Sequence, residues 1–233
     1  MNKLFSTIKN IFSIEELRSR ILTTVGFLII FRLGSFVVLP GIDPSKLQQS
    51  AGGIFGLLDT FLGGAFSNAS IFALGIMPYI SASIVVQLLG VALPYFQKLQ
   101  KEGDSGRKKM TQITRYLTIL ITIFQSTAYI SGTIPAEAIL VQNKFLFTLS
   151  CIVILTSGTI FCMWIGEKIT DKGIGNGISM LIMIGIISRF PGSIIAEALS
   201  KGMSKALLFI VEIFILFGVV MFTVMIVQAI RRI

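Results

Sequence analysis

Histidine is absent from the 233-residue chain. Its absence removes the commonest metal ligand and the usual general base. Charge is scarce: Asp, Glu, Lys and Arg make up 13% of residues, about half of the ~25% found in soluble globular domains. A soluble fold of this size would lack a charged skin. Cysteine is limited to Cys151 and Cys162, which share one apolar stretch. They lie too far apart along a helix to bridge there, and read as small packing residues.

Apolar residues fill the space that charge leaves. They reach 54% of the chain, with a mean hydropathy of +0.87. Without water in a bilayer core, each segment must satisfy its own backbone N–H and C=O groups, which favours helices. The runs are long and rich in Ile, Leu and Phe, unlike the short alternating strands of a membrane barrel. The expected fold class is an all-α polytopic membrane protein. Six spans are expected: residues 21–38, 71–93, 116–134, 145–165, 174–187 and 206–230. A polar, amphipathic lead-in of residues 1–20 precedes them, with no cleavable signal peptide evident.

The net charge of +9 reads as a bias of cytoplasmic loops toward Lys and Arg rather than as a nucleic-acid surface. With the N-terminus inside, Lys3, Lys9, Arg18 and Arg20 are cytoplasmic. So are Lys98, Lys101, Arg107, Lys108, Lys109 and Arg115, then Lys168 and Lys172, then Arg231 and Arg232. The outside holds only Lys46, Lys144, Arg189, Lys201 and Lys205, while Arg32 falls within the first span, paired or snorkelling. Both termini are therefore expected inside.

In the second span Ile76, Ile80 and Ile84 recur at i, i+4, i+8 and so share a helix face. Ser81, Ala82 and Ser83 permit close helix approach, and Pro78 is expected to weaken the start of the span. Between the first two spans, the apolar stretch 54–62 is too short to cross a bilayer and is bracketed by Gly52-Gly53 and Gly63-Gly64. A surface hairpin, a re-entrant helix and a folded-in element all remain open. Gly173, Gly175 and Gly177 alternate around Asn176 directly before the fifth span, where the chain must turn sharply. A glycine loop there can hold phosphate, but no Walker-type Lys-Ser/Thr follows.

Four long strings carry a resemblance: RLGSF…LPGID (32–43), GGAFSNASIFALGIMPYISASIVVQLL (63–89), KEGDSGRKKMTQITRY (101–116) and MWIGEKITDKGIGNGIS (163–179). The chain resembles the SecY family, channel subunits of the bacterial Sec protein translocase, over nearly its whole length. The resemblance implies a SecY-like helical bundle: the N-terminal half of an inverted repeat plus one further helix, about six of the family's ten. Residues 21–190 correspond to the first half, 191–205 to an external hinge loop and 206–230 to the sixth helix. The second half is absent, and the chain stops at Arg231-Arg232-Ile233 in mid-pattern, so a fragment that forms no working channel alone is expected.

By position, the resemblance places Ile76, Ile80, Ile178 and Ile182 in an aliphatic pore ring, a dewetting constriction that deforms around a polypeptide. It places a plug at about residues 52–66, including Ile54, Phe55, Leu57, Leu58, Asp59, Phe61 and Leu62, with Asp59 facing an aqueous funnel. One wall of a lateral gate is expected from Ser81, Ser83, Gln87, Thr122 and Gln125, hydrogen-bonding across the gate at about 0.6 kcal/mol each. Lys101, Arg107, Lys108 and Lys109 form a cytoplasmic docking loop.

The family's role implies no catalysis, no cofactor and no metal; SecA's ATP hydrolysis or the ribosome supplies energy. Implied partners are SecE, SecG, SecA, the ribosome, signal sequences, translocating polypeptide and lipid, in a bacterial cytoplasmic membrane and without DNA. The alternatives are a non-conducting remnant that scaffolds a partner, and a secondary transporter or ion channel. A transporter places ionisable groups or broken helices at midplane, and the acidic residue clearly within a span here is Glu212.

Overall fold

A computed structural model describes residues 13–47, 56, 59–201 and 206–229. It divides into two compact units, residues up to 188 and residues from 189 onward. Among the described residues there is no sheet, only the isolated antiparallel bridges Val38–Ser70 and Ile42–Ile139.

Helix α1 spans Glu15–Gly34. Glu15 and Glu16 occupy its first turn, where carboxylates complement the helix dipole. It ends where Gly34 lies so close to the Phe72 ring that a Cβ would overlap it. The chain beyond it is tied down by backbone bonds, Leu39 N–H to the Ala69 carbonyl and Ile71 N–H to that of Val37. Helix α2 (Met77–Ala92) starts later than the expected span, because residues 71–76 form turns. Pro78 weakens nothing: it occupies the first helical turn, where its missing N–H has no partner to lose.

A bend of 99° separates α2 from α3 (Pro94–Lys101). Gly103, at φ 68°, then turns the chain into α4 (Asp104–Thr133). The expected basic loop is thus corrected to two helices and a tight turn. Lys101 ends α3, and Arg107, Lys108 and Lys109 lie in the first turns of α4. The turn is closed by contact: a Cβ on Gly106 would overlap the Leu99 carbonyl oxygen.

Helix α4 buries Thr114, Thr118, Thr122, Ser126, Tyr129 and Ile130 along one face. The Thr118 and Thr122 hydroxyls each donate back to the carbonyl four residues earlier, which satisfies them without a partner helix. Helix α4 packs on α2, α3 and α5 (Lys144–Lys172). Asn143 caps α5, its Oδ1 accepting from the Phe145 and Leu146 amides. Cys151 and Cys162 are free thiols buried within α5.

Helix α6 runs Gly177–Lys201, so the expected hinge loop at 191–205 is helical over its described part, 191–201. Pro191 and Gly192 suggest a loop, yet helix formers and apolar residues follow (Ile194, Ile195, Ala196, Leu199) and the helix continues. In the second unit, Lys201 pairs with Glu197 at 2.9 Å and with Glu212 of α7 (Ala206–Ala229). That contact neutralises Glu212 within its apolar helix.

Among the described residues three helices, α5, α6 and α7 from Leu207, are long and apolar enough to cross a membrane, and the bent pair α2–α3 would make a fourth. Helices α1 and α4 are not among them. Helix α1 carries Arg18, Arg20 and Arg32, two of them ahead of the expected span, and hydroxyl residues dilute α4.

Candidate functional site

The residues around the fifth span's entry explain how two isoleucine pairs come together. Gly177 packs its Cα against the Gly166 carbonyl, leaving no room for a Cβ. Thr170 Oγ1 accepts from the Gly177 amide, and Asn176 Oδ1 accepts from the amides of Ile178 and Ser179. Gly175 alone of the three glycines takes positive φ, 72°. The first amides of α6 are thus occupied by the protein's own side chains, which is a capping role and not a phosphate cradle. Thr24 of α1 closes the turn by accepting from Ile174 N–H at 3.0 Å.

Held this way, α6 delivers Ile182 to the cluster that contains Ile76 and Ile80 of the α2 start. Ile76, Ile80 and Ile182 line a cavity of about 220 Å3 together with Phe31, Met77, Leu181, Phe61 and Leu62. Three expected ring residues thus meet two expected plug residues in one apolar space. Ile178 packs on the same cluster, against Gly166, and does not line that cavity. Ile84, on the same helical period as Ile76 and Ile80, is 51% exposed and lies outside it.

The plug segment is described at Gly56 and from Asp59; Ile54, Phe55, Leu57 and Leu58 lie outside the described residues. Asp59 does not face a funnel. It is 6% exposed, and its Oδ1 accepts from the Ser67 amide at 2.8 Å. That bond closes residues 59–67 into a loop whose turn is Gly63-Gly64, at φ 63° and 92°. Burial without such a partner would be costly for a carboxylate.

Three residues outside the expected plug hold this loop. Arg32 of α1 donates from Nη1 to the Gly63 carbonyl at 2.6 Å, and its guanidinium lies 4.7 Å from the Phe36 ring centroid. Tyr129 of α4 donates its buried hydroxyl to the Phe66 carbonyl at 2.7 Å and meets the Phe66 ring edge-on. Gly185 of α6 lets the loop backbone approach, since a Cβ there would overlap the Phe61 carbonyl oxygen. A cation inside an apolar run signals Arg32. Nothing local distinguishes Tyr129 or Gly185.

The expected gate residues find partners within their own helices. Ser81 donates to the Met77 carbonyl, Gln87 Nε2 to Ser83 Oγ, and Thr122 to the Thr118 carbonyl. These bonds run along single helices, and for Ser81 and Thr122 a hydroxyl four residues past a carbonyl finds it without any neighbour. Gln125 lines a second cavity of about 270 Å3 with Leu62, Phe66, Leu74, Met77, Ala128, Tyr129 and Thr133. The loop, α2 and α4 meet there.

At the other end of α4, Arg107 and Lys108 line an open groove with Asp104, Thr111, Gln112 and Arg115. Lys109 pairs instead with Glu102 at 3.6 Å. Arg115 grips Glu167 of α5 in a two-pronged bond, Nε to Oε1 at 3.1 Å and Nη2 to Oε2 at 2.6 Å. Among the described residues no group of three or more His, Cys, Asp or Glu is arranged to hold a metal ion.

The sequence profile of the SecY family matches residues 70–233. The chain belongs to the SecY family. It is 45% identical to protein translocase subunit SecY of Buchnera aphidicola subsp. Acyrthosiphon kondoi, over 94% of this chain and 64% of that protein. Against SecY of Escherichia coli strain K12 it is 44% identical, over 94% of this chain and 51% of the relative. Against SecY of Streptomyces griseus it is 42% identical, over 99% and 56%. The chain thus spans between about half and two thirds of these SecY proteins' length. Its fold is similar to a solved structure of a protein conducting channel (TM-score 0.54, 19% identity, 74% of this chain and 36% of that one). Canine Sec61 from a ribosome–channel complex of the endoplasmic reticulum matches equally, at a TM-score of 0.54 and 19% identity.

Proposed function

We propose that the chain supplies the N-terminal part of a protein-conducting channel in a bacterial cytoplasmic membrane. Unfolded preproteins pass through it and apolar segments leave it sideways into lipid. The observation that carries this reading is the cavity where Ile76, Ile80 and Ile182 meet Phe61 and Leu62. Branched aliphatic walls expel water and block ions, yet yield to a chain of varied side chains because they make no directional bonds. Residues 52–66 act as the plug, and α2 with α4 forms one wall of the lateral gate.

In this reading all six long helices cross the bilayer with both termini cytoplasmic. The chain performs no chemistry itself; SecA or the translating ribosome drives transport, and SecE and SecG complete the channel. Arg107 and Lys108, exposed on the first turns of α4, supply the positive face on which the cytoplasmic partner docks.

The test is a stalled translocating preprotein in native membranes, with a photocrosslinker placed in turn at Ile80 and Ile182. Crosslinks to the preprotein at both positions are expected. Their absence at both, with the preprotein stalled, would overturn the proposal.

A further inference from the structure

The loop formed by residues 59–67 is held from two sides by different elements. Arg32 reaches it from α1 through the Gly63 carbonyl, and Tyr129 reaches it from α4 through the Phe66 carbonyl. The two attachments differ in kind. Arg32 is a long, partly buried side chain, able to follow a small displacement of its acceptor. The Tyr129 hydroxyl is buried, on a rigid ring inside a 30-residue helix, so its position is the position of α4. The same ring lines the cavity of about 270 Å3 between the loop, α2 and α4. Anything apolar that enters that cavity bears on Tyr129, Phe66 and Leu62 together.

We infer that Tyr129 is a positioning residue that couples α4 to the plug: its hydrogen bond to the Phe66 carbonyl holds the plug loop closed, and a movement of α4 breaks that bond and frees the loop. This rests on the plug and gate assignments proposed above. An apolar signal helix wedged against α2 and α4 displaces α4 relative to the loop. A hydrogen bond weakens steeply once its distance and angle leave their narrow range. The Phe66 carbonyl then loses its buried partner, which costs more than losing the bond alone, so the loop is driven outward toward water. The stabilisation that keeps the loop closed in the resting state is thereby lost at the moment a substrate arrives.

The experiment uses the full protein in sealed membrane vesicles, with Leu62→Cys as reporter. Leu62 is 6% exposed, and the native Cys151 and Cys162 are buried, so a membrane-impermeant maleimide reports loop release. A synthetic apolar signal peptide is the probe. In the reporter background the peptide is expected to raise the labelling rate. Tyr129→Phe, which keeps the ring against Phe66, should raise the basal rate about fivefold to tenfold, as loss of one buried hydrogen bond implies. It should also abolish most of the further rise on adding peptide.

Arg32→Gln serves as the comparison: it raises the basal rate but leaves the peptide response intact. If Tyr129→Phe leaves the basal rate unchanged, or labelling still rises with peptide by the same factor as in the reporter alone, the coupling is overturned. Deleting residues 52–66 tests the plug assignment separately through ion leak. Increased leak with an unaltered Tyr129→Phe variant overturns only the coupling, whereas unchanged leak overturns the plug assignment and the coupling with it.

Discussion

At the residue scale, glycine decides where elements can touch. Gly177 sits against the Gly166 carbonyl and Gly185 against the Phe61 carbonyl, whereas a methyl group added to Gly132 in α4 would meet nothing within 4 Å. Gly177→Ala should therefore cost about 1–3 kcal/mol, since backbone on both sides must shift. Gly132→Ala should be neutral or stabilising by up to about 1 kcal/mol through helix propensity. Equilibrium unfolding in mixed micelles checks both, and equal effects would show that the close approach is not limiting. Identical residue type, opposite outcome: the letter G in the sequence holds no record of what stands opposite.

Side-chain pairs at this scale follow burial. Arg115 and Glu167 form a two-pronged bond, but Arg115 is nearly half exposed. A double-mutant cycle with Arg115→Ala and Glu167→Ala should give a coupling of about 0.2–1 kcal/mol. Raising salt roughly tenfold shortens the screening length about threefold, so that coupling should shrink. A coupling unchanged by salt would mean that the pair is shielded from water.

At the element scale, helix ends are partly legible in the sequence. Asn143 and Asn176 each precede a long apolar run, and each proves to be a cap with two amide partners. Asn176→Ala should cost about 1 kcal/mol, read as a lower midpoint in the same unfolding measurement, and should leave the α5 N-terminus unaffected. A matching loss at Asn143→Ala would give the two caps the same weight. The start of α2 is not legible, because residues 71–76 are as apolar as a span. Hydropathy does not distinguish a helix from buried turns tied to residues 37–39 by backbone bonds. The basic segment 98–115 and residues 191–201 read as loops from composition, while short-range packing and helix formers made them helical.

At the scale of the whole molecule, the six-span topology makes a clear demand on α1 and α4, which hydropathy alone does not pass as spans. Cysteine at Lys108 and cysteine at Lys144 should face opposite sides of the membrane, since α4 separates them. A membrane-impermeant thiol reagent added to intact cells should label the Lys144→Cys variant and spare Lys108→Cys. Labelling of both from one side would remove α4 as a crossing. The apolar surface of α7, exposed along its length, is what a lipid-facing or partner-facing helix requires.

Composition and periodicity by themselves determined that this chain is a helical membrane protein, because apolar length and scarce charge act locally and additively along the chain. Family-specific strings likewise carried the SecY resemblance, and with it the expectation of an isoleucine ring. Only the tertiary structure decided that all four isoleucines share one cluster but that Ile182, and not Ile178, lines the cavity with Ile76 and Ile80, and that Asp59 is buried on the Ser67 amide. It alone placed Arg32 and Tyr129 on the carbonyls of the loop at 59–67. Those facts depend on backbone groups meeting side chains up to 63 residues away in the chain, and a backbone carbonyl looks the same at every position of a sequence.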